Sequence, residues 1–303
     1  MMVNVVSKLK NKIFRILKKS QNTCCYIFTQ KNEVLVINAW MDLYGETPKH
    51  SNLGDDLNFY LLKELTGKRL FNYGNLYMPW QKNYCCIGSI VDSLVNKRSI
   101  IWGSGVISEK KIMREKPFKV CAVRGPLTEQ YLRSYGIDCP KVYGDPALLL
   151  PLVYPVKCKK KYTMGIVPHI MDCNDENVLL LSKKIRNSKI IHLMGYRDWK
   201  DVVNEINKCE FIISSSLHGI IISDAYGIPN VWVEFSDKVE GEGFKFRDYF
   251  SSVGRFSSPI RITSKTSMEE LLTGKEQWHI KEIDLNKLLA SCPFEVKSQF
   301  ISS

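Results

Sequence analysis

Apolar and polar positions follow two alternating rhythms along this chain. Short apolar runs that read as buried strands are separated by stretches in which apolar residues recur every three or four positions, the spacing of one helix face. The first convincing run is VLVINA at 34–39; a loop with glycine and proline follows, then a helix over about 54–66 that buries Leu57, Tyr60, Leu61 and Leu65. Runs at 85–91 and 99–102 predict short strands around a helix. Another strand at 120–123 leads through Arg124-Gly-Pro into a helix over 128–135. Pro126 suits the first turn of that helix, where its missing N–H costs nothing. VYGDPALLL at 142–150 predicts a strand running into a short helix. PLVYPVKCKKKY at 151–162, with two prolines and a lysine run, then interrupts the pattern. Strands resume at YTMGIVPH (162–169) and KIIHLMG (189–195), with helices over 176–187 and 198–207. The stretch 211–234 reads as strand, tight turn, helix, turn, strand. His192 falls inside a predicted strand and is expected in the core.

This repeated alternation predicts an α/β protein with two doubly wound, Rossmann-like domains. The expected divisions are an N-terminal segment at 1–30, domains at 31–155 and 156–266, and a C-terminal helix and tail at 267–303, helical to about 290 and a tail from Pro293.

Composition changes the picture at one end of the chain. A 45% hydrophobic, 24% charged makeup over 303 residues is that of a soluble globular protein long enough for two cores. The net charge is +12, and Lys8, Lys10, Lys12, Arg15, Lys18 and Lys19 bring half of it into the first twenty residues, where no acid occurs. Over 4–19, Val6, Leu9, Ile13, Phe14, Ile16 and Leu17 fall near one face of a helix. Such a helix either docks on the protein with its lysines solvated or lies on an anionic membrane surface. No motif favours a nucleic-acid partner. Ten cysteines show no CxxC or Cys/His spacing, so a reducing, cytoplasmic setting and no metal site are expected. No apolar run reaches the length of a signal peptide core or a membrane span.

The candidate chemistry gathers at predicted strand ends, where open α/β sheets bind ligands. Ser214, Ser215, Ser216 and His218 precede a helix whose free N–H groups can hold an anion. The serines can equally be caps, and the histidine a hydrogen-bonded core residue. Gly103-Ser104-Gly105 allows close backbone approach, and Ser104 can donate to an anion. Arg124 is either a bidentate anion ligand or the partner of a buried acid. Asn52, Asp55 or Asp56 can cap the helix that follows, leaving one acid free. Asp145 caps a short helix or anchors a site group. His169 is a second ligand candidate at a strand end, and Lys245, Arg247 and Asp248 lie on a helix that can face a cleft.

Taken in order, NLGDD (52–56), WGSG (102–105), AVRGPLTEQYLRSYGI (122–137), YGDPALLLP (143–151), GIVPH (165–169), SSSLHGIIISDAYGIPNVWVE (214–234) and KFRDYF (245–250) resemble the polysaccharide pyruvyl transferase family over about 35–250. The resemblance implies a fold similar to GT-B glycosyltransferases with a cleft between domains. It also implies phosphoenolpyruvate as donor and a sugar or lipid-linked glycan as acceptor. Pyruvate is then joined to two sugar hydroxyls as a cyclic ketal and phosphate is released, with no cofactor or metal. Arg124 matches a position implicated in donor binding, and His218 one implicated in binding and acid/base chemistry. Some members carry arginine where this chain has Ser216, and Lys245, Arg247 or His169 would supply the missing cation. Ser104, Ser214, Ser215 and Ser216 are expected to add anion contacts. Asp55 and Asp145 are expected to orient the acceptor. Trp40, Tyr44, Tyr73, Tyr77 and Trp80 are candidates for stacking on a sugar ring. A nucleotide-sugar glycosyltransferase of similar layout is the competing enzyme reading, and a non-catalytic glycan-binding protein the other.

Overall fold

The computed structural model describes residues 2–43, 47–50, 52–280 and 284–301, with side chains from residue 9 onward. The chain begins with helix α1 (Met2–Phe28). Strand β1 (Val34–Ile37), helix α2 (Leu53–Thr66) and strands β2 (Arg69–Asn72), β3 (Asn83–Cys85), β4 (Ser99–Trp102) and β5 (Lys119–Ala122) build a first sheet. Helix α3 (Pro126–Ser134) and the short α4 (Leu150–Val153) follow. A second sheet takes strands β6 (Tyr162–Val167), β7 (Ser188–Ile190), β8 (Cys209–Ser214), β9 (Asn230–Glu234) and β10 (Ile260–Arg261). Its helices are α5 (Glu176–Lys184), α6 (Trp199–Asn207), α7 (Leu217–Ala225) and α8 (Phe244–Ser252). Helices α9 (Met268–Glu276) and α10 (Leu285–Ala290) follow, and a 3-10 turn spans Ser298–Phe300.

All pairings within the two sheets are parallel, which accounts for the near-continuous apolar strands: both faces are covered. The first sheet runs β2-β1-β3-β4-β5, and the second runs β7-β6-β8-β9-β10. The two orders are the same. Each half lays its second strand on one side of its first, then crosses to the other side and continues outward. Each therefore has a reversal point, between β1 and β3 and between β6 and β8, where the carboxyl ends of the strands splay and leave a crevice. The two sheets make the fold α/β and Rossmann-like, as expected.

One apolar cluster joins the halves, running from Ile37 and Leu57 through Leu149 to Ile221 and Trp232. Polar ties cross as well. Leu53 N–H donates to Leu193 O at 2.6 Å, and Tyr196 Oη donates to Asp56 Oδ2 at 2.6 Å. Arg124, fully buried, donates from Nε to Asp248 Oδ2 at 2.9 Å. Asp248 also accepts from the Thr128 N–H at 2.8 Å and the Thr128 hydroxyl at 2.7 Å. Helix α8 of the second half is thereby pinned to the turn after β5. Gly105 makes room for the arginine, since a Cβ there would lie 2.2 Å from Arg124 Cζ.

Several expectations are corrected. The segment from Pro293 is no tail. Phe294 packs edge-on against Tyr84 and Trp102, Val296 is buried, and the Lys297 N–H donates to Leu65 O at 2.9 Å. Trp102 Nε1 donates to Leu288 O at 3.0 Å, so the chain's last helix returns to the first sheet. Residues 267–290 form two helices rather than one. Strands β2 and β10 lie outside the expected elements, because RLFN has only two apolar residues and Ile-Arg only one. No helix lies between β3 and β4, and residues 142–143 contribute only a bridge from Tyr143 to Val123. His192 is exposed, because β7 ends at Ile190 and the chain has already left the sheet. Helix α1 extends past its predicted end because its last turns are the docked part. Tyr26 is buried edge-on against Phe71, and Asn22 Nδ2 donates to Leu43 O at 2.9 Å.

Removing one partner of a buried, hydrogen-bonded ion pair leaves an uncompensated charge. Asp248→Ala is expected to lower the free energy of unfolding by about 3–5 kcal/mol, measured from the urea midpoint. A loss near the level of an exposed pair would mean that Arg124 does not depend on this partner.

Candidate active site

The reversal points of the two sheets face each other across one cavity of about 180 Å³. That is below the range of about 300–1,000 Å³ usual for drug-sized ligands, so it suits one small molecule. From the first half, the chain leaving β1 brings Trp40, and the turn after β3 brings Gly88 and Ser89. The first turn of α2 supplies Asn52 and Asp55. From the second half, the end of β6 brings Pro168 and His169, and the start of α7 brings Ser216, Leu217 and His218. Helix α8 supplies Lys245.

Two helix amino termini thus open on the cavity from opposite sides. Asn52 caps α2 by accepting from the Gly54 N–H at 3.2 Å, and its Nδ2 donates to Asp55 Oδ2 at 2.7 Å. Helix α7 has no such cap: the Ser216 side chain makes no capping bond, which leaves the first N–H groups for a ligand. The His218 imidazole rests on the first turn of α2. A Cβ at Gly54 would lie 2.0 Å from His218 Nδ1, so position 54 tolerates no side chain.

Burial sets the protonation of these groups. It pushes His218 down to about 3, helped by the charges of Lys245 and Arg124 and by His169, and the imidazole is neutral at physiological pH. His218 Nε2 is buried with no partner among the described residues. Burial, then Lys245, lowers His169 to about 4, and its Nδ1 accepts from the Met171 N–H at 3.2 Å. Burial and Arg124 bring Lys245 down to about 8, against the pull of Glu240, Asp55 and Asp172. Asp55 is raised to about 7, first by burial; Asn52 opposes the rise, Asp56 adds to it, and Lys245 opposes it. The cavity therefore holds a carboxyl and an amine that both titrate near neutrality, beside two neutral imidazoles.

Residues 51–237, more than half of the chain, match the family model described as polysaccharide pyruvyl transferase. The chain belongs to that family. It is 30% identical to the uncharacterized protein L143 of Acanthamoeba polyphaga mimivirus over 212 residues, which is 68% of this chain and 72% of the relative. It is 25% identical to the succinoglycan biosynthesis protein ExoV of Rhizobium meliloti (strain 1021) over 245 residues, 78% of this chain and 73% of the relative. No solved structure matches.

In this pyruvyl transferase family member, five of the expected site residues line the cavity: Asp55, His169, Ser216, His218 and Lys245. The other five are not among its lining residues, and Ser215 borders a separate groove with Trp232 and Glu234. Arg124 uses Nη1 to donate to Ser89 Oγ at 2.6 Å and Nη2 to donate to Val106 O at 2.7 Å, in addition to its bond to Asp248. Ser214 Oγ accepts from the Ser216 N–H at 3.0 Å and sits 2.8 Å from Val167 O. Ser215 Oγ donates to Asp172 Oδ2 at 2.7 Å and accepts from the His169 N–H at 2.9 Å. These two serines shape the loop, so of the three only Ser216 offers its hydroxyl to the cavity. Asp145 accepts from the Ala147 N–H at 2.9 Å, and Ser104 is wholly buried. Arg247 is turned away to donate to Glu242 O at 2.7 Å.

Ser89, which lines the cavity and accepts from Arg124, is not singled out by the residue order. Its only signal was a Gly-Ser pair directly after an apolar run. Trp40, 59% exposed, stands at the mouth of the cavity. Tyr73, Tyr77 and Trp80 lie away from it, and Tyr44 falls outside the described residues.

The depressed His218 pKa has a definite sign. Between about 3 and the ordinary value of 6.5 the unfolded chain binds a proton that the folded chain refuses. Its stabilising contribution is complete above 6.5 and is lost as pH falls toward 3. The His218 ring signals in an NMR titration are expected to stay flat from pH 8 to about 5. A midpoint near 6.5 would contradict the enclosed environment.

Proposed function

We propose that the cavity binds phosphoenolpyruvate and transfers its three-carbon unit to two hydroxyls of a glycan sugar, forming a cyclic pyruvate ketal and releasing phosphate. The observation that carries this reading is the meeting of an uncapped helix amino terminus, the Lys245 ammonium and the hydroxyls of Ser89 and Ser216 in one small enclosure. That donor set suits a compact molecule bearing phosphate and carboxylate. Arg124 supports anion binding from behind the wall, by orienting Ser89 and adding positive potential. It is a positioning residue in this proposal rather than a direct clamp.

The reaction needs a proton at the donor's methylene carbon, attack by a sugar hydroxyl on the oxygen-bearing carbon, loss of phosphate, and closure by the second hydroxyl. A group titrating near 7 is suited to give the first proton and take one back. Asp55 has that property. His218 was expected as the acid/base residue, but an imidazole lowered to about 3 is a poor base at neutral pH. We assign it a hydrogen bond from neutral imidazole to a substrate oxygen through Nε2, and assign proton transfer to Asp55. His169 borders the same anion region. Trp40 offers its face to the acceptor ring at the mouth.

The acceptor is proposed to be a sugar or lipid-linked glycan of an exopolysaccharide, capsule or cell envelope. The relative named for succinoglycan biosynthesis supports that class. A GT-B-like arrangement of the halves and a cytoplasmic setting, where phosphoenolpyruvate is available, are part of the same proposal, with no cofactor or metal.

Phosphate release from phosphoenolpyruvate with glycan acceptors, and a ketal product by mass, are the expected outcome. Consumption of a nucleotide-sugar without phosphate release would favour the glycosyltransferase reading instead. Asp55→Asn is expected to cut kcat by about 10²–10⁴-fold, the usual scale for a lost acid/base group. Lys245→Ala should act mainly on KM. With Asp55 required in its acid form, kcat/KM should fall as pH rises through about 7 and again through about 8 as Lys245 loses its proton. Asp55→Asn should leave only the second fall.

A further inference from the structure

We propose that helix α1 is a docking surface for an anionic phospholipid bilayer, with its first half lying along the membrane and its last turns tethered to the first sheet. The tether is the packing of Tyr26 on Phe71, the Asn22 bond to Leu43, and a bond from the Tyr77 N–H to Thr23 Oγ1 at 3.0 Å. Upstream the helix leaves the body of the protein. Leu9, Ile13, Ile16 and Leu17, spaced i, i+4, i+7 and i+8, form one apolar stripe and are 46–64% exposed.

A stripe of that size in water calls for an occupant, and charge says which. No acidic residue precedes Glu33, while Lys10 and Lys12 flank the stripe and Arg15, Lys18 and Lys19 occupy the rest of the helix surface. Lys12, Arg15 and Lys19 also line a groove of about 660 Å³ between α1 and the turn carrying Asn75 and Tyr77. The groove's acid, Asp42, is matched by Lys49 at 3.4 Å. Apolar residues flanked by cations, next to a basic groove, match acyl chains bordered by anionic headgroups. A second copy of the chain would bring like charge against like charge. Nucleic acid would engage the lysines and leave the four aliphatic side chains wet. No helix among the described residues is long and apolar enough to cross a membrane, so α1 would lie on the surface. A lipid-linked acceptor would then be met at the membrane. That corollary rests on the proposed pyruvyl transfer, whereas the docking does not.

The test uses the full chain with vesicles of phosphatidylcholine alone or mixed with phosphatidylglycerol, read by co-sedimentation. Binding is expected only to the mixed vesicles, with release at high salt. Ile13→Asp/Leu17→Asp and Lys12→Glu/Arg15→Glu should each weaken it by at least about tenfold. These positions are surface residues outside the cavity, so phosphate release from phosphoenolpyruvate with a soluble acceptor should be unchanged. That assay separates failure of docking from failure of the catalytic reading. No binding to the mixed vesicles, or equal binding by the Ile13→Asp/Leu17→Asp protein, overturns the proposal. Self-association or nucleic-acid binding through α1 without vesicle binding overturns it too.

Discussion

The buried guanidinium of Arg124 is the interaction on which the site's assembly depends. Three of its nitrogens reach three different parts of the chain: Asp248 on α8, Ser89 after β3 and the carbonyl of Val106. Removing two charges from water costs several kcal/mol per ion, so the pair is not there for stability alone. It fixes α8 against the first half. Lys245 lies three residues before Asp248 on the same helix, close to one face. The ion pair therefore places the cavity's ammonium, while another nitrogen of the same guanidinium holds the Ser89 hydroxyl on the opposite wall.

The matching strand orders explain why a cavity exists there to be furnished. A parallel sheet that reverses direction leaves a crevice at its carboxyl edge, and this chain builds that crevice twice and turns the two together. Backbone and side-chain bonds from Leu53 and Tyr196 hold the halves at that distance. The return of α10 and Phe294 to Trp102 covers the first sheet with the chain's last residues. The first half is thus completed by residues far away in sequence.

Much of this was legible from residue order, because strand runs and helix faces are local patterns. The cores of β1, β5, β6 and β8, the α2 and α6 helices, and the strand-end positions of His169 and His218 all follow from such patterns. Side-chain direction does not. Ser214, Ser215 and Ser216 are indistinguishable in sequence, yet two turn into loop bonds and one faces the cavity. By its sequence context Arg124 fits either an anion ligand or one member of a buried pair. Its pairing was decided by Asp248, 124 residues away, and no local rule reports such a separation. The packing of Phe294 was hidden for the same reason, and Ser89 gained meaning only through the arginine behind it.

The bare Cα of Gly54 has one more consequence. The His218 ring from the second half meets the first turn of α2 with no space for a methyl group between them. The separation of the two halves at the cavity is thus set by direct contact between an imidazole and a bare backbone. A molecule that fills the cavity touches both sides of that contact at once. A small anion bound there would add its binding free energy to the cohesion of the two halves.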